Sequence, residues 1–350
     1  MAATPHDSEC ALVTGGGGFL GTAIVRILAA RGDRVRSFSR RPHPALTALA
    51  VEQTQGDIAD ARALEQACRG AEVVYHTAAK PPPWGPYRDY HRTNVTGTAN
   101  VITACRKCRV ARLIHTSTPS VVFDGNDLAG VDESVPYPPR YTDHYSQTKA
   151  LAERMVIEAG TEFLRTIALR PHEIWGPEDP HIVARIIARA GRLRRIGDGR
   201  NLVDTTYIDN AAAAHVLAAE RLKQDPGLSG RAYFISQGEP VPAWDMIDAI
   251  LNAAGRGPVK GAVPHGLARA IGFLFEKLYS GLHLPGEPPM TRFIADALAR
   301  AHWFDIGAAR RDLGYTPAVS TAEGLERLAA WLHGEGSNRH RKSAKNAQKG

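Results

Sequence analysis

The sequence predicts an α/β protein with a doubly wound parallel sheet and a smaller, discontinuous C-terminal substrate domain. Short apolar stretches alternate with helical stretches at the spacing of βαβ units. The first apolar stretch, 11–14, runs into four glycines and then into a predicted helix over 19–30. Polar clusters follow several predicted strands, and ligands of such sheets bind beyond the carboxyl ends of the strands. A nucleotide-binding sheet is therefore expected.

The glycines after the first predicted strand are the first candidate site. Gly15, Gly18 and Gly21 fit the pattern G-x-x-G-x-x-G. A turn that brings backbone N–H groups to a pyrophosphate has no room for Cβ atoms, and a helix N-terminus favours anions. Many glycine-rich turns are only turns, but here a strand precedes and a helix follows. The residues predicted to bind a dinucleotide here are Gly15, Gly17, Gly18, Phe19, Leu20 and Gly21.

The end of the second predicted strand, 34–38, bears on the choice between NAD and NADP. An acidic residue at this point would bond the adenosine ribose and repel a 2′-phosphate. This chain instead has Ser39, Arg40 and Arg41. Arginine can grip a phosphate by two parallel hydrogen bonds, so the stretch favours NADP, with NAD as the other possibility. The alternative interpretation is a solvated basic loop.

Small or polar residues also follow the third, fourth and fifth predicted strands. Asp57 is placed to face an adenine amino group, although it would also suit the cap of a predicted helix over 59–68. Small residues after the fourth strand, 72–76, allow a flat cofactor to lie close. The cofactor-facing residues predicted at these strand ends are Asp57, Ile58, Thr77, Ala78, Ala79, Lys80 and Thr116.

A tyrosine and a lysine four residues apart open a predicted helix that continues through Val156. Residues four apart share a helix face, so the Tyr145 phenol and the Lys149 ammonium can act on one site. A nearby cation lowers the pKa of a tyrosine from its usual ~10 toward the pH at which an acid–base catalyst works. A hydroxyl after the fifth strand, from Thr118 or Ser117, is predicted to hold a substrate carbonyl beside the phenol. The alternative is an ordinary surface pair.

Together these motifs resemble the extended short-chain dehydrogenases/reductases, a Rossmann family, in the branch of 3β-hydroxysteroid and decarboxylating sterol-4α-carboxylate dehydrogenases. The similarity covers about residues 10–333. The matching stretches are 14–21, 57, 76–79, 94–98, 116–121, 145–149, 169–171 with 176–177, and 201–210. Within the branch, the stretches 79–85, 115–120, 174–177 and 284–293 are most similar to bacterial 2-alkyl-3-oxoalkanoate reductases of long-chain olefin biosynthesis.

The resemblance implies that the catalytic residues are Tyr145, Lys149, Thr118 and Asn94. Tyr145 would protonate the carbonyl oxygen as hydride arrives from the nicotinamide. Lys149 would hold the nicotinamide ribose and lower the pKa of Tyr145. Thr118 takes the position of the family's catalytic serine, with Ser117 as its neighbour.

The resemblance also implies supporting and substrate-binding residues. Asn94 occupies the family's position in the helix beneath the site, and its alternative role is that of a helix N-cap. Pro171 and His172 would cover the nicotinamide, with His172 contributing mainly its backbone. His172, His76 and His115 are not expected to be catalytic. The predicted substrate contacts are Trp84, Tyr87, Ser117, Thr118 and Trp175.

The implied function is NADPH-dependent reduction of a 2-alkyl-3-oxoalkanoate to the 2-alkyl-3-hydroxyalkanoate. The alternative is an NAD(P)-dependent 3β-hydroxysteroid or sterol-4α-carboxylate 3-dehydrogenase, which is decarboxylating. A nucleotide-sugar epimerase or dehydratase and a non-catalytic NADP-sensing protein share the motifs. The expected partners are a hydrophobic, lipid-like substrate, a second copy in a homodimer, and enzymes of a lipid pathway.

The predicted domains are a Rossmann domain over 10–180 and a substrate domain over 181–202 and 237–333. Strands over 203–209 and 231–236 are expected to return to the Rossmann sheet. A basic, disordered tail is predicted over 334–350. Its five cations, with no acid among them in the last fourteen residues, supply +5 of the net charge of +7. The remainder is close to neutral, so no nucleic-acid partner is expected.

The remaining features concern cysteines, location and one apolar stripe. Four cysteines in 350 residues do not make a disulfide framework, and Cys105-x-x-Cys108 lacks the second ligand pair of a metal site. A polar N-terminus and the lack of a long apolar run predict a cytoplasmic protein with at most peripheral membrane contact. A stripe over 267–278 predicts an amphipathic helix that faces the core, walls an apolar pocket, or touches a membrane or partner.

Overall fold

The computed structural model describes residues 8–82 and 84–334, so most of the predicted basic tail lies outside the described residues. The strands are, in chain order, β1 (Cys10–Thr14), β2 (Arg34–Ser39), β3 (Glu52–Gln55), β4 (Val73–His76), β5 (Arg112–Thr116), β6 (Leu128–Val131), β7 (Arg165–Pro171), β8 (Ile174–Trp175), β9 (Arg195–Ile196), β10 (Leu202–Val203), β11 (Thr206–Tyr207), β12 (Arg231–Ile235), β13 (Val241–Pro242), β14 (Ala262–Val263) and β15 (His302–Phe304). The helices are α1 (Phe19–Ala30), α2 (Pro44–Thr47), α3 (Ala61–Cys68), α4 (Tyr87–Tyr90), α5 (Gly97–Lys107), α6 (His144–Glu158), α7 (Ile182–Arg189), α8 (Ile208–Gln224), α9 (Ala243–Ala253), α10 (His265–Gly281), α11 (Arg292–Ala299) and α12 (Thr321–His333).

The central sheet confirms the predicted fold class. Seven parallel strands lie in the order β12-β7-β5-β4-β1-β2-β3. All five residues of β1 are buried, which is expected of a strand covered by helices on both faces of a parallel sheet. The predicted helix over 19–30 matches α1, and β12 pairs in parallel with β7 as predicted for the stretch 231–236. The carboxyl ends of these strands therefore meet at one edge.

The predicted strand over 203–209 is wrong. β10 belongs to a second sheet of order β13-β10-β15-β6, β11 pairs with β8, and α8 begins at Ile208. The buried carboxylate of Asp204 explains why the stretch is not one continuous strand, because its two oxygens accept hydrogen bonds from two different parts of the fold. One accepts from His172 Nδ1 at 2.6 Å, and the other accepts from the Phe304 backbone N–H at 3.0 Å. Asp204 thus joins the central sheet to the second sheet.

The expectation of a core-facing stripe on the helix over 267–278 is also wrong. Leu267 is 53% exposed and Leu274 is 67% exposed, and Ile271 and Leu278 are exposed as well. The buried residues of α10 are small, Ala268 and Gly272. A Cβ added to Gly272 would lie 2.6 Å from the backbone of the residue that caps α11. Close backbone packing therefore selects the small-residue face of α10, and the apolar stripe faces outward.

A buried ion pair anchors α6 to β7. Glu153 on α6 is fully buried and accepts hydrogen bonds from the Arg170 guanidinium at 2.7 to 3.2 Å. The Tyr137 hydroxyl donates to the same carboxylate at 2.6 Å. Because α6 also carries Tyr145 and Lys149, this pair fixes the helix on which the catalytic candidates lie.

We expect Glu153→Gln to lower the free energy of unfolding by about 3 to 5 kcal/mol, because it leaves the Arg170 charge buried without a partner. Urea unfolding at neutral pH measures the change. Glu158→Gln, at an exposed position of the same helix, is the matched control and should change stability little. Equal stability of the two variants would contradict the anchoring role of the ion pair.

Candidate active site

A cavity of about 1110 Å³ opens at the carboxyl ends of β1, β4, β5 and β7. This is where ligands of an open α/β sheet bind. It gathers most of the residues that the sequence predicts for the site. Those that line it are Gly15, Gly17, Gly18, Phe19, Leu20, Gly21, Ser39, Arg40, Arg41, Asp57, Ile58, Thr77, Ala78, Ala79, Thr116, Ser117, Thr118, Tyr145, Lys149, Pro171 and Trp175.

The glycine turn fits the pyrophosphate of a dinucleotide. Gly15 has a φ of +73°, and a Cβ there would lie 2.9 Å from the backbone of Ala78. A Cβ at Gly21 would overlap the carbonyl oxygen of Gly15. The N-cap of α1 is Gly18, so no side chain caps the N–H groups of the first turn. These N–H groups are therefore available to a bound anion.

Arginines line the end of the cavity where the sequence predicts the adenosine of the dinucleotide. Arg40 and Arg41 line it, and both are exposed. Asp57 accepts from the Ala59 N–H at 2.9 Å and from Arg92 at 2.8 Å. Burial raises the pKa of Asp57, but these two hydrogen bonds outweigh it and the net pKa is lowered. Asp57 is thus an ionised carboxylate that lines the cavity.

The alternative role of Asp57 as a helix cap is wrong. α3 begins at Ala61, and its N-cap is Asp60, whose carboxylate accepts from the Arg62 and Ala63 N–H groups. Asp57 instead closes a short turn by accepting from the N–H of Ala59, two residues further along the chain. Its second oxygen remains on the cavity side, paired with Arg92.

The Tyr145 phenol lies beside the Thr118 hydroxyl. Burial raises the pKa of Tyr145, and a hydrogen bond with Thr118 opposes the rise only in part. This is the opposite of the direction expected from the sequence, and Lys149 does not cause it. The phenol therefore stays protonated at neutral pH, which is the form that a general acid needs. Thr118 also accepts from the Ser120 N–H, so its hydroxyl is held in place.

The Lys149 ammonium has partners other than the phenol. It donates to the Thr116 carbonyl oxygen at 2.5 Å and contacts His115 Nε2 at 3.3 Å. Burial lowers the pKa of Lys149 to about 8, and the Glu153 carboxylate opposes this shift. Lys149 is 2% exposed, and the partners of its ammonium are a carbonyl oxygen and an imidazole rather than the phenol.

An unpartnered hydroxyl adds to the fit for a bound group. Ser117 is buried and lines the cavity, yet its Oγ has no hydrogen-bond partner within residues 8–82 and 84–334. Buried polar groups are nearly always paired, so such an atom at a cavity wall suits a ligand. Together with the glycine turn, the ionised Asp57 and the two arginines after β2, this hydroxyl makes the cavity fit a dinucleotide.

Asn94 is not a helix N-cap. It lies inside one helical run, since α4 continues through a wider π-helical turn over His91–Thr96 into α5. Its Oδ1 accepts from the Lys80 N–H at 2.8 Å, and its Nδ2 donates to Thr148 Oγ1 at 3.1 Å. Asn94 thereby ties the segment after β4 to α6 from beneath the cavity.

Two buried histidines, His76 and His172, have structural partners. His76 bonds the Thr14 and Thr98 hydroxyls, and burial lowers its pKa to about 3. His172 does not line the cavity, contrary to its predicted place over the cofactor. Its N–H donates to the Ile235 carbonyl oxygen of β12, and its ring bonds Asp204.

Three more predicted residues lie away from the cavity wall. Lys80 places its ammonium 5.1 Å from the centre of the Tyr90 ring. Tyr87 packs against His91 and His144 at ring distances of 5.6 and 5.4 Å. Trp84, which is partly exposed, is likewise absent from the described lining.

The structure adds lining residues that sequence reasoning missed. They come from distant parts of the chain and carry no local motif: His43, Arg92, Glu173, Trp244, Phe293 and His302. Glu173 has a φ of +43°, which is uncommon outside glycine and marks a strained backbone at the cavity. No group of three or more side chains that could hold a metal occurs in the described parts of the chain.

Comparison with known proteins gives a consistent result. The model of the 3-beta hydroxysteroid dehydrogenase/isomerase family matches residues 12–261. The 2-alkyl-3-oxoalkanoate reductase of Stenotrophomonas maltophilia (strain K279a) is 48% identical, covering 91% of this chain and 98% of that protein. The decarboxylating sterol-4-alpha-carboxylate 3-dehydrogenase of Mus musculus is 36% identical, covering 92% and 90%. A solved UDP-glucuronic acid 4-epimerase from Bacillus cereus, in complex with NAD, is similar with a TM-score of 0.69, 25% identity and coverage of 92% and 98%.

Tyr145→Phe tests the general acid. We expect a drop in kcat of about 10²- to 10⁴-fold, because the phenyl ring has no proton to donate. The dissociation constant for the dinucleotide, followed by fluorescence, should change little. Tyr279→Phe, on α10 and outside the cavity lining, is the control. Retained turnover in Tyr145→Phe would assign the acid to another residue.

The pKa of Lys149 predicts a pH limit. Because its folded-state pKa is about 8, the ammonium is charged below that pH and neutral above it. We expect kcat/KM to fall as the pH rises through about 8. Lys149→Arg, whose guanidinium does not deprotonate in this range, should be slower but lack this limb. A flat wild-type profile through this range would rule out the titration of Lys149 as its cause.

Proposed function

This chain belongs to the 3-beta hydroxysteroid dehydrogenase/isomerase family and is an NAD(P)-dependent oxidoreductase, and we propose that it reduces 2-alkyl-3-oxoalkanoates with NADPH. The product is the 2-alkyl-3-hydroxyalkanoate. The observation that carries the proposal is the protonated Tyr145 phenol beside the Thr118 hydroxyl, at the wall of a cavity whose far side is apolar. The similarity to relatives of that name supports the substrate class.

The chain's own residues position and protonate the carbonyl. Thr118 donates a hydrogen bond to the ketone oxygen, and the Tyr145 phenol delivers the proton that this oxygen gains. The glycine turn and the residues after β4 would hold the dinucleotide, and Lys149 would bind its ribose hydroxyls. When bound, the reduced nicotinamide supplies the hydride. The charge that develops on the oxygen is thus neutralised by a proton already in place.

The apolar wall of the cavity supports a substrate with alkyl chains. Apolar side chains from α7, α9 and α11 form it, and the same lining includes the basic residues Arg185 and Arg189 of α7. The apolar lining residues of these three helices include Ile182, Ile186, Trp244, Met246, Ile247, Ile250, Phe293, Ile294 and Leu298. A sugar nucleotide would leave its hydroxyls without partners against this wall, which disfavours an epimerase or dehydratase.

Arg40 and Arg41 support a preference for NADP over NAD. They follow Ser39 at the end of β2 and line the cavity, where an acidic residue would repel a 2′-phosphate. Their charges are exposed and have no ion-pair partner within residues 8–82 and 84–334. Two free guanidinium groups at that point complement an added phosphate.

The second candidate is a sterol-4-carboxylate 3-dehydrogenase. Relatives of that name are 34% to 38% identical, and their named substrate also carries a carboxylate next to the reacting carbon. Arg40 and Arg41, which favour NADP, support reduction rather than oxidation with NAD. A cofactor sensor without chemistry has no use for a protonated phenol at this place.

The outward apolar stripe of α10 supports peripheral membrane contact, as expected for an enzyme of lipid-like substrates. None of the described helices is long and apolar enough to cross a membrane. A homodimer and contacts with other enzymes of a lipid pathway, as well as a cytoplasmic location, remain predictions.

The test is cofactor oxidation by the purified protein with a synthetic 2-alkyl-3-oxoalkanoate. We expect NADPH to be consumed faster than NADH, and the double variant Arg40→Gln/Arg41→Gln to lower kcat/KM for NADPH about 10- to 100-fold while leaving NADH unaffected. Arg62→Gln, an exposed arginine on α3, is the control. Oxidation of a 3β-hydroxysteroid with NAD, without reduction of the keto acid, would move the assignment to the sterol branch.

A further inference from the structure

An arginine in the cavity holds a carboxylate of the chain itself. Arg185 on α7 lines the cavity, and its Nη2 donates to both oxygens of Glu287 at 2.7 and 2.9 Å. Glu287 belongs to the stretch between α10 and α11, which forms neither helix nor strand. The cavity thus already contains one arginine–carboxylate pair.

Arg185 and Tyr145 line the same cavity. The charges of Arg185 and Glu287 also both influence the pKa of Tyr90, which burial raises. The Tyr90 ring packs edge-on against the Tyr145 ring, with centroids 6.5 Å apart. A group bound to Arg185 therefore shares the cavity with the Tyr145 phenol.

We propose that Arg185 binds the carboxylate of an acidic substrate and that Glu287 occupies Arg185 until that substrate enters. The inference rests on the proposed function, in which the carboxylate is attached to the carbon next to the ketone. It adds the group that distinguishes a free acid from an ester or a simple ketone. Glu287 and the substrate present the same chemical group to the guanidinium.

Exchange of one carboxylate for the other is energetically easy. The side chains of Arg185 and Glu287 are 36% and 40% exposed, and ion pairs at such exposure contribute little net stability. Glu287 can leave without breaking a helix or strand. The incoming acid replaces its hydrogen bonds and also buries alkyl surface against the apolar wall.

The helix that carries Arg185 is suited to a substrate with an acidic head and apolar chains. His181, Arg185 and Arg189 are spaced four residues apart, and all three line the cavity. Arg189 forms no ion pair or side-chain hydrogen bond with another residue of 8–82 or 84–334. Ile182 and Ile186 lie beside this basic row and also face the cavity.

The test measures binding without turnover. An unreactive 2-alkylalkanoate, which lacks the 3-oxo group, and its methyl ester are titrated by calorimetry into the full chain loaded with NADP⁺. We expect Arg185→Gln to weaken binding of the acid about 10- to 100-fold and to leave the ester unchanged. Glu287→Gln should tighten binding of the acid several-fold, because the guanidinium is no longer occupied. Arg192→Gln, an exposed arginine outside the cavity lining, should change neither.

The opposite signs of the two variants separate binding from structure. If the ion pair only held the fold together, both variants would weaken binding of acid and ester alike, and the inference would be overturned. If Arg185→Gln does not fold, Glu287→Gln alone tests the inference, since tighter binding of the acid supports it and weaker binding overturns it. The kinetic arm separates this inference from the proposed function. Binding of the acid through Arg185 without reduction of the 3-oxo acid would refute only the function, whereas reduction that Arg185→Gln leaves unchanged would refute only the inference.

Discussion

The absence of Cβ atoms where β1 turns into α1 is the constraint on which the site depends. The Gly15 carbonyl oxygen occupies the space that a side chain at Gly21 would need, so α1 starts directly against the turn. The Gly15 N–H donates to the Phe38 carbonyl oxygen at 2.8 Å, which places the end of β2 beside the same turn. The helix N-terminus, the Ser39–Arg41 stretch and the ends of β4 and β5 therefore converge on one cavity. A larger side chain at either glycine would separate these parts.

Burial sets the chemistry of the two central groups in opposite directions. It raises the pKa of the Tyr145 phenol and lowers that of the Lys149 ammonium to about 8, because a desolvated site disfavours both charged forms. The phenol therefore stays protonated at neutral pH, and the ammonium loses its proton above a pH of about 8. For the phenol, this keeps the proton available for transfer to a ketone oxygen. The buried Glu153–Arg170 pair holds the helix that carries both groups and so fixes their position. The Glu153 carboxylate also acts on the pKa of Lys149, which it raises.

The second half of the chain is joined to the first by polar contacts rather than by a continuous sheet. Asp204 links His172 at the end of β7 to the backbone of β15, and His172 Nε2 lies 3.0 Å from His302 Nδ1. These contacts bring α11 and its apolar side chains to the cavity, while α10 packs behind through Ala268 and Gly272. α11 thus contributes to the apolar lining of the cavity, whereas the apolar stripe of α10 faces outward.

The sequence by itself determined the features that depend on neighbouring residues. The parallel sheet, α1, the glycine turn and the Tyr145–Lys149 spacing follow from local periodicity and from backbone geometry. Tertiary structure decided the rest, because the deciding contacts join residues far apart in the chain. Asp57 meets Arg92, Arg185 meets Glu287, and Asp204 turns a stretch that reads as one strand into two separate pairings. The sequence also did not predict that the apolar stripe of α10 faces outward. Helical periodicity shows that a helix has an apolar face, but it does not show which face packs against the core.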